Sequence, residues 1–219
     1  MSRNRYINED GEFIVRASAL GNCMASPNKT ELSAGAKTYV KTAFKETYLN
    51  YSEELDLKQL DKGIVCENEA IKIVSKFYNE PYVKNEDRFT NGYIKGECDI
   101  AYKDKIRDIK CSWSKKTHPL TPEDAKSTKY EWQGRAYMML WDKNNFYLDY
   151  VLMNTPDHLV PKYEDYELHR GCEDLSLELR ITTIHFERDY KKESQIIQRV
   201  NLMRDYWNSL KKQFNIKNK

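Results

Sequence analysis

The chain has 219 residues, a length typical of one folded domain with a substantial core. Its 36 lysines and arginines stand against 34 aspartates and glutamates, and the net charge of +2 excludes a strongly basic tail as the basis of its function. With 40% hydrophobic and 32% charged residues, the composition excludes a disordered chain. It leaves a nucleic-acid partner open, because basic residues can be concentrated locally.

The first twelve residues contain no apolar run of the kind found in signal peptides, and no run elsewhere approaches the roughly 18–20 apolar residues of a membrane span. We therefore expect a cytoplasmic protein with no membrane partner. The cysteines are odd in number and form no Cys-x-x-Cys pair, which argues against a disulfide framework and against a zinc ribbon. We expect reduced, mostly buried thiols at Cys23, Cys66, Cys98, Cys111 and Cys172.

Helical periodicity dominates the first part of the chain and predicts a helical N-terminal region at about 16–80. Ser18 is placed to cap a brief helix near residues 16–20. Longer helices are predicted at about 33–49 and 60–77, where apolar residues recur at helical spacing.

Glu67 interrupts an apolar stripe on the helix predicted at 60–77. The stripe consists of Ile64, Ile71, Val74 and Tyr78. A carboxylate in such a stripe is costly to bury unless it meets a cation or a hydrogen-bond donor. Glu67 is therefore either a functional residue or one half of a buried salt bridge.

A hairpin follows, with one strand predicted at 93–102 and a second at 106–113. Asp99 lies on the first strand, and Asp108 and Lys110 lie on the second. Residues two apart in a strand face the same side, so Asp108 and Lys110 project together, and the short turn lets Asp99 approach Asp108. Two converging carboxylates suit Mg²⁺, and a neighbouring lysine can hold or deprotonate a water molecule. The alternative is an ordinary solvated strand face.

The rest of the chain alternates helices and strands. We predict a helix at 128–141, strands at 146–153 and 179–187, and a C-terminal helix at about 190–214 with one apolar stripe. Gln133 lies one turn before Tyr137 on a largely apolar face, where it is either functional or a satisfied core amide. The order of elements predicts an α/β (α+β) fold, a mixed central sheet flanked by helices, in a single domain spanning 1–219.

Basic residues are concentrated in two segments. Residues 188–219 contain nine lysines and arginines against three acidic residues, and residues 110–135 contain six against three, with aromatic residues between them. Such a combination suits phosphate contact and base stacking, and Arg135 is a candidate substrate-binding residue. The alternative is an ordinary solvated face with core aromatics.

These motifs, taken in order, resemble the PD-(D/E)XK nuclease superfamily. They are Gly63-x-x-x-Glu67-Asn68-x-Ala70, Gly96-x-x-Asp99, Asp108-Ile109-Lys110 and Gln133-x-x-x-Tyr137. More narrowly, the chain is similar over about residues 16–207 to the lambda exonuclease/YqaJ branch, the phage alkaline exonucleases used in recombination. The resemblance implies a restriction-endonuclease-like core.

The resemblance also implies a metal site. Asp99, Asp108 and the main-chain carbonyl of Ile109 would bind Mg²⁺, with Mn²⁺ as a substitute. Glu67 would bind the metal directly or through water. No iron–sulfur cluster is expected, because Cys172 is an isolated last cysteine.

The remaining roles follow from the same resemblance. Lys110 would activate the hydrolytic water, Gln133 would orient Lys110 or that water, and Tyr137 would support the site or contact DNA. Arg16 and Ser18 match the segment that holds the terminal 5′-phosphate in lambda-type members.

The implied function is hydrolysis of linear double-stranded DNA by a Mg²⁺-dependent exonuclease with 5′ to 3′ polarity, which would generate single strands for recombination. A homo-oligomeric ring, a single-strand annealing protein as partner, and the cytoplasm of a bacterial host, with the protein encoded by a phage or prophage, are the corresponding expectations. The alternatives are a RecB-like, CRISPR-adaptation-type or restriction-type nuclease, and a catalytically silent DNA-binding module. An endonuclease would cut circular DNA as readily as linear DNA.

Overall fold

The computed structural model describes residues 5–52 and 58–216. Its helices are α1 (Leu20–Cys23), α2 (Ala34–Leu49), α3 (Lys58–Tyr78), α4 (Thr128–Trp141), α5 (Leu177–Arg180) and α6 (Tyr190–Gln213). Its strands are β1 (Val15–Arg16), β2 (Phe89–Thr90), β3 (Ile94–Gly96), β4 (Ile100–Tyr102), β5 (Lys105–Cys111), β6 (Asn145–Val151) and β7 (Ile181–Glu187).

The main sheet has the strand order β4-β5-β6-β7. The inner pair, β5 and β6, is parallel, and both outer pairs are antiparallel. Helix α4 is the crossover between the two parallel strands, as a parallel connection requires. The predicted mixed sheet flanked by helices is therefore confirmed. A second, small sheet has the order β1-β3-β2.

Both faces of the main sheet are covered. Helix α4, together with α1, α2 and α6, packs on one face, and α3 packs on the other. Alternate residues of a strand face opposite sides. Accordingly Ile106 belongs to the core on the α4 side, and Ile109 belongs to the core on the α3 side. Asp108 and Lys110 share the side of Ile106 and project toward α4.

The apolar stripe of α6 forms a large part of the core on the α4 side. Its buried members are Ile196, Val200, Met203, Trp207 and Leu210, whereas Phe214, just beyond the helix, is exposed. Full burial of one such side chain stabilises the fold by about 1.5–3 kcal/mol. The stripe therefore serves the core rather than an interface.

Two of the glycines required by close approach lie where α4 meets the sheets. A Cβ at Gly134 of α4 would lie 2.0 Å from a ring carbon of Phe146 on β6. A Cβ at Gly96 would lie 2.9 Å from Cε1 of Tyr137. Helix α4 thus lies directly against both sheets at these points. At Gly63 on α3, by contrast, an added Cβ would meet nothing within 4 Å.

The strand predicted at 93–102 is divided into two strands of different sheets. β3 ends at Gly96 in the small sheet, and β4 begins at Ile100 in the main sheet. The chain between them is held by Asn85, a residue outside both sheets, through its main chain and its side chain. The main-chain N–H of Asn85 donates to Asp99 O at 2.8 Å, and its side-chain amide donates to Cys98 O at 3.0 Å. These bonds occupy carbonyls that a continuous strand would use.

The apolar stripe predicted for the helix at 60–77 is confirmed in part, since Ile71 and Val74 are buried and Tyr78 is partly buried. Ile64, placed in the apolar stripe, is 73% exposed. The buried positions are Lys62, Cys66, Ala70, Ile71 and Val74. Glu67 is partly buried and lies one turn before Ile71 on this helix.

Helix beginnings were predicted with mixed success. Ser33 caps α2, because its side chain accepts a hydrogen bond from Ala36 N at 3.2 Å. Ser18 caps nothing: it lies in the 3₁₀ turn Ala17–Ala19, which leads directly into α1, and neither element has a side-chain cap. The strand predicted from residue 179 begins at Ile181, because α5 occupies the preceding residues.

Lys62 ties α3 to the carboxyl ends of β5 and β6. The side chain is fully buried. Its ammonium donates to Ser112 O at 2.7 Å, Thr155 Oγ1 at 2.8 Å and Met153 O at 2.9 Å, and Trp113 O lies 3.1 Å away. We call these four oxygens the Lys62 cage. Burial lowers the pKa of Lys62, and hydrogen bonds to a buried charge offset much of its desolvation.

The cysteines are free, and all but the partly exposed Cys111 are buried. In the described parts of the chain, none of the helices is both long enough and apolar enough to traverse a lipid bilayer.

Candidate active site

A cleft of about 450 Å³ opens where the small sheet, α3 and the start of β4 meet. Its walls are rich in charge. The cations that line it are Arg5, Arg16, Lys84, Arg88 and Lys95. The acids that line it are Glu67, Glu97 and Asp99. Cations outnumber acids, so the cleft suits an anion that enters beside carboxylates.

Asp99 and Asp108 meet because of the β4–β5 register. Ile100 pairs with Arg107, which brings the preceding Asp99 beside Asp108. Asp99 Oδ2 accepts a hydrogen bond from Ile109 N at 2.6 Å. Asp108 is only 2% exposed, and Asp99 is partly buried. Burial, together with the charge of Asp108, raises the pKa of Asp99 to about 7. The site therefore binds protons readily in the absence of a metal.

Lys110 stands next to this pair. Its ammonium lies 2.5 Å from Asp108 Oδ2 and 5.1 Å from the centre of the Tyr130 ring. Burial alone would lower the pKa of Lys110, but the charges of Asp108 and Asp99 raise it above its ordinary value. Lys110 is therefore a cation here, able to donate hydrogen bonds to a water molecule or a phosphate oxygen.

Helix α4 supplies the third side of the site. Gln133 and Tyr137 are one turn apart and both face β5. Gln133 Nε2 donates to Asp108 Oδ1 at 3.1 Å and to the Tyr137 hydroxyl at 2.9 Å. Gln133 therefore orients Asp108 rather than contacting Lys110. Burial and the charge of Asp108 raise the pKa of Tyr137, so its hydroxyl stays protonated.

Glu67 faces the same cleft as Asp99 from helix α3. Its Oε1 lies 3.0 Å from Lys84 Nζ, and the two side chains are 24% and 40% exposed. The salt bridge considered from the sequence is thus present, although it is not buried. Lys84 was missed by the sequence analysis, because it lies in the irregular segment after α3 and belongs to no periodic pattern.

Of the predicted substrate-binding residues, Arg16 and Ser18 line the cleft. Arg135 does not line the cleft. Its side chain is buried, donates to Glu131 at 2.9 Å and contacts the main-chain oxygen of Glu187. Arg135 is two residues from Gln133 on α4, so it faces away from the site.

The arginines of the basic C-terminal segment also bind partners within the protein, and Lys217 and Lys219 lie outside the described residues. Arg188 pairs with Glu193 at 2.6 Å, and the buried Arg199 donates to the carbonyl of Glu31 at 3.0 Å. Arg204 donates to Phe13 O at 2.9 Å. The arginines of this segment hold elements together, and the cations of the cleft come from other parts of the chain.

The donors at the site fit a hard divalent cation. Throughout residues 5–52 and 58–216, no three His, Cys, Asp or Glu side chains are spaced to hold a metal by themselves. A metal would therefore need Asp99, Asp108, the Ile109 carbonyl and water, with Glu67 acting through water. Asp108 Oδ2 is buried without a hydrogen bond, and Lys110 is its close ionic neighbour. A carboxylate oxygen with unused lone pairs suits Mg²⁺.

The fold of the chain occurs in solved structures of exonucleases. No protein-family model and no curated protein sequence matches the chain. Among solved structures, the phage-related exonuclease from Haemophilus somnus 129PT has 30% sequence identity and a TM-score of 0.87, over 93% of this chain and 97% of that chain.

The alkaline exonuclease from Laribacter hongkongensis shares the fold at lower identity. It has 17% identity and a TM-score of 0.62 over 92% of this chain and 93% of that one. Its complex with dAMP has 18% identity and a TM-score of 0.61 over the same shares. The fold of the chain is thus that of these exonucleases over nearly its whole length.

Proposed function

Because the chain belongs to the lambda exonuclease/YqaJ-like branch of the PD-(D/E)XK nucleases, we propose that it is a Mg²⁺-dependent exonuclease of linear double-stranded DNA. One observation carries the proposal. Asp99, Asp108, Lys110 and Gln133 converge beside a cleft lined by cations. Carboxylates, a lysine and an amide in this arrangement suit phosphodiester hydrolysis by water, and no covalent intermediate is needed.

The residues of the site have distinct roles in the proposed reaction. Asp99, Asp108 and the Ile109 carbonyl would hold Mg²⁺ or Mn²⁺, which when bound lowers the pKa of water and stabilises charge on phosphate. Lys110 positions the attacking water or a phosphate oxygen through its ammonium. Gln133 fixes the orientation of Asp108 through the bond at 3.1 Å.

The cleft supports the proposed substrate. Arg16 and Ser18 line it together with further cations, so a terminal phosphate can be held next to Asp99. We propose 5′ to 3′ digestion and the production of single strands for recombination. A homo-oligomeric ring, a single-strand annealing protein as partner and a bacterial cytoplasm complete the proposal.

Linear duplexes labelled at either end, with and without a 5′-phosphate, test this function. We expect Mg²⁺-dependent release of nucleotides from 5′ ends, fastest with the phosphate present. Asp108→Asn is expected to lower the rate on the order of 10²–10³-fold or more, whereas Asp205→Asn on the exposed side of α6 should not change it. Full activity of Asp108→Asn would refute the proposed site, loss from 3′ ends alone would refute the polarity, and equal cutting of circular DNA would refute the exonuclease.

A further inference from the structure

Lys84 is placed at the active-site cleft although no role follows for it from the proposed chemistry. Its ammonium lies 3.0 Å from Glu67 Oε1. The pKa of Lys84 is raised by the hydrogen bond that it donates to Glu67 and by the negative charge of Glu67. The charges of Asp99 and Glu97 raise it further. The side chain is thus a cation whose close carboxylate partner faces the same cleft as Asp99.

The main chain next to Lys84 is fixed to the metal-binding region. Asn85 donates through its main-chain N–H to Asp99 O and through its side chain to Cys98 O, at 2.8 and 3.0 Å. Tyr82, on the other side, is buried. The base of the Lys84 side chain is therefore fixed beside Asp99, while its four-carbon stem lets the ammonium move within the cleft.

The charges of the site leave room for a change of partner. Three carboxylates, Glu67, Asp99 and Asp108, face two ammonium groups, Lys84 and Lys110. With all five ionised the group carries one net negative charge, and a divalent cation would reverse its sign. Glu67 would then be attracted to the metal, and Lys84 would be repelled by it.

We propose that Lys84 is the counter-ion of Glu67 before the metal binds and that it transfers to a DNA phosphate when the metal binds. The inference rests on the proposed function, since it requires a metal beside Asp99 and DNA in the cleft. Breaking the Glu67–Lys84 pair costs little, because a partly exposed ion pair contributes little to stability. The remaining cations of the cleft mark the region where the phosphate would be found.

A permanent structural ion pair is the competing explanation. It predicts that replacement of Lys84 has the same effect on DNA binding with and without metal. A fixed phosphate contact predicts the same equality. Only a transfer makes the contribution of Lys84 to DNA binding depend on the metal.

The first test measures DNA affinity of the full chain. The probe is a linear duplex with phosphorothioate terminal linkages, titrated over a salt series in Mg²⁺ and in EDTA. We expect Lys84→Gln to weaken binding several-fold in Mg²⁺ and to reduce the slope of log affinity against log salt by about 1. In EDTA it should bind within twofold of the unmodified chain.

The matched control is Lys72→Gln. Lys72 pairs with Glu69 at 3.1 Å on the exposed side of α3, the helix that carries Glu67, and does not line the cleft. It should change neither affinity nor slope. Glu67→Gln provides the converse test: it releases Lys84, so binding in EDTA should strengthen, and this gain should shrink when Lys84→Gln is added.

The second test measures Mg²⁺ binding to the DNA-free chain by calorimetry. Lys84→Gln should bind Mg²⁺ about two- to fivefold more tightly, because the competing ammonium is gone. Equal DNA-affinity losses in Mg²⁺ and EDTA, or unchanged affinity for both DNA and Mg²⁺, would overturn the transfer. If Asp108→Asn is inactive in the same series, the proposed function survives that result; if Asp108→Asn is fully active, the proposed function itself fails.

Discussion

At the scale of single residues, the site was found from strand spacing and from polar side chains on apolar faces. Asp99 and Asp108 stand out because a short hairpin turn brings them together, and Gln133 stands out because a helix face that packs in a core seldom carries an amide. Lys84 and Asn85 could not be found in this way, since they lie in an irregular segment where every side chain type is common. Their importance depends on contacts with residues that are distant in sequence.

Asp99 makes the stability of the metal-free protein depend on pH. Its pKa of about 7 in the folded chain exceeds its ordinary value of 3.8, so between these values the folded state binds more protons than the unfolded state. The free energy of unfolding therefore falls as pH rises through this window and stays lower above it. We expect Asp99→Asn in EDTA to be more stable than the unmodified chain at pH 8, on the order of 2 kcal/mol, and no more stable at pH 4.

Urea unfolding between pH 4 and pH 8 measures this difference, and Asp205→Asn serves as the exposed control. Parallel pH profiles for Asp99→Asn and the unmodified chain would contradict the assignment of the raised pKa to Asp99.

Gln133 is expected to act through Asp108. Removing its amide in Gln133→Ala leaves Asp108 Oδ1 without the donor at 3.1 Å. We expect kcat to fall about 10–100-fold, as is usual when a partner of a metal ligand is removed, with a smaller change in KM. Steady-state kinetics on a linear duplex checks this, with Gln198→Ala on the exposed side of α6 as control. An unchanged kcat would show that Asp108 is oriented without Gln133.

At the scale of elements, regular helices were predicted best. The bounds of α4 agree with the sequence prediction, because its helical periodicity is uninterrupted. The division between β3 and β4 was not predictable, because it depends on Asn85 from another segment. Ile64 was wrongly placed on the buried face of α3 because apolar residues occupy both the buried and the exposed sides of this helix.

Two helical glycines should respond in opposite ways to the same substitution. Gly63→Ala meets open space on α3 and should stabilise the protein by about 0.5–1 kcal/mol through helix propensity. Gly134→Ala gains the same propensity but collides with Phe146, and overpacking should leave it about 1–3 kcal/mol less stable. Thermal or urea unfolding of the two variants side by side checks this. Stabilisation by both would mean that α4 can move away from β6 without cost.

At the scale of the whole molecule, the fold class and the family were both recovered from the sequence. The strand–helix–strand order of β5, α4 and β6 restricts the arrangement to a parallel pair with the helix on one face. The small sheet was not predicted, since its strands have only two or three residues each. That sheet carries Arg16 and Lys95, so part of the cleft lies on the portion of the fold with the weakest sequence pattern.

Lys62 should be essential for the assembly of these layers, because it joins α3 to the ends of two strands. Lys62→Met keeps the apolar stem but leaves several buried oxygens without a donor. We expect it to destabilise the protein on the order of 3 kcal/mol. Lys76→Met, at an exposed position of the same helix, should stay within about 0.5 kcal/mol. Equal stability of the two variants in urea unfolding would contradict the structural role of the Lys62 cage.

The Lys62 cage also resembles the binding site of a small ionophore, except that the bound cation is a side chain of helix α3. Three main-chain carbonyls and one hydroxyl surround the ammonium, a set of oxygens that recognises positive charge rather than shape. The substitution Lys62→Ala would remove the ammonium and leave the four oxygens without their cation. Dissolved ammonium chloride should then partly restore the melting temperature of that variant, whereas tetramethylammonium chloride, too bulky for the cage, should not. Helix α3 is thus held against the ends of β5 and β6 by the binding of a cation that belongs to the same chain.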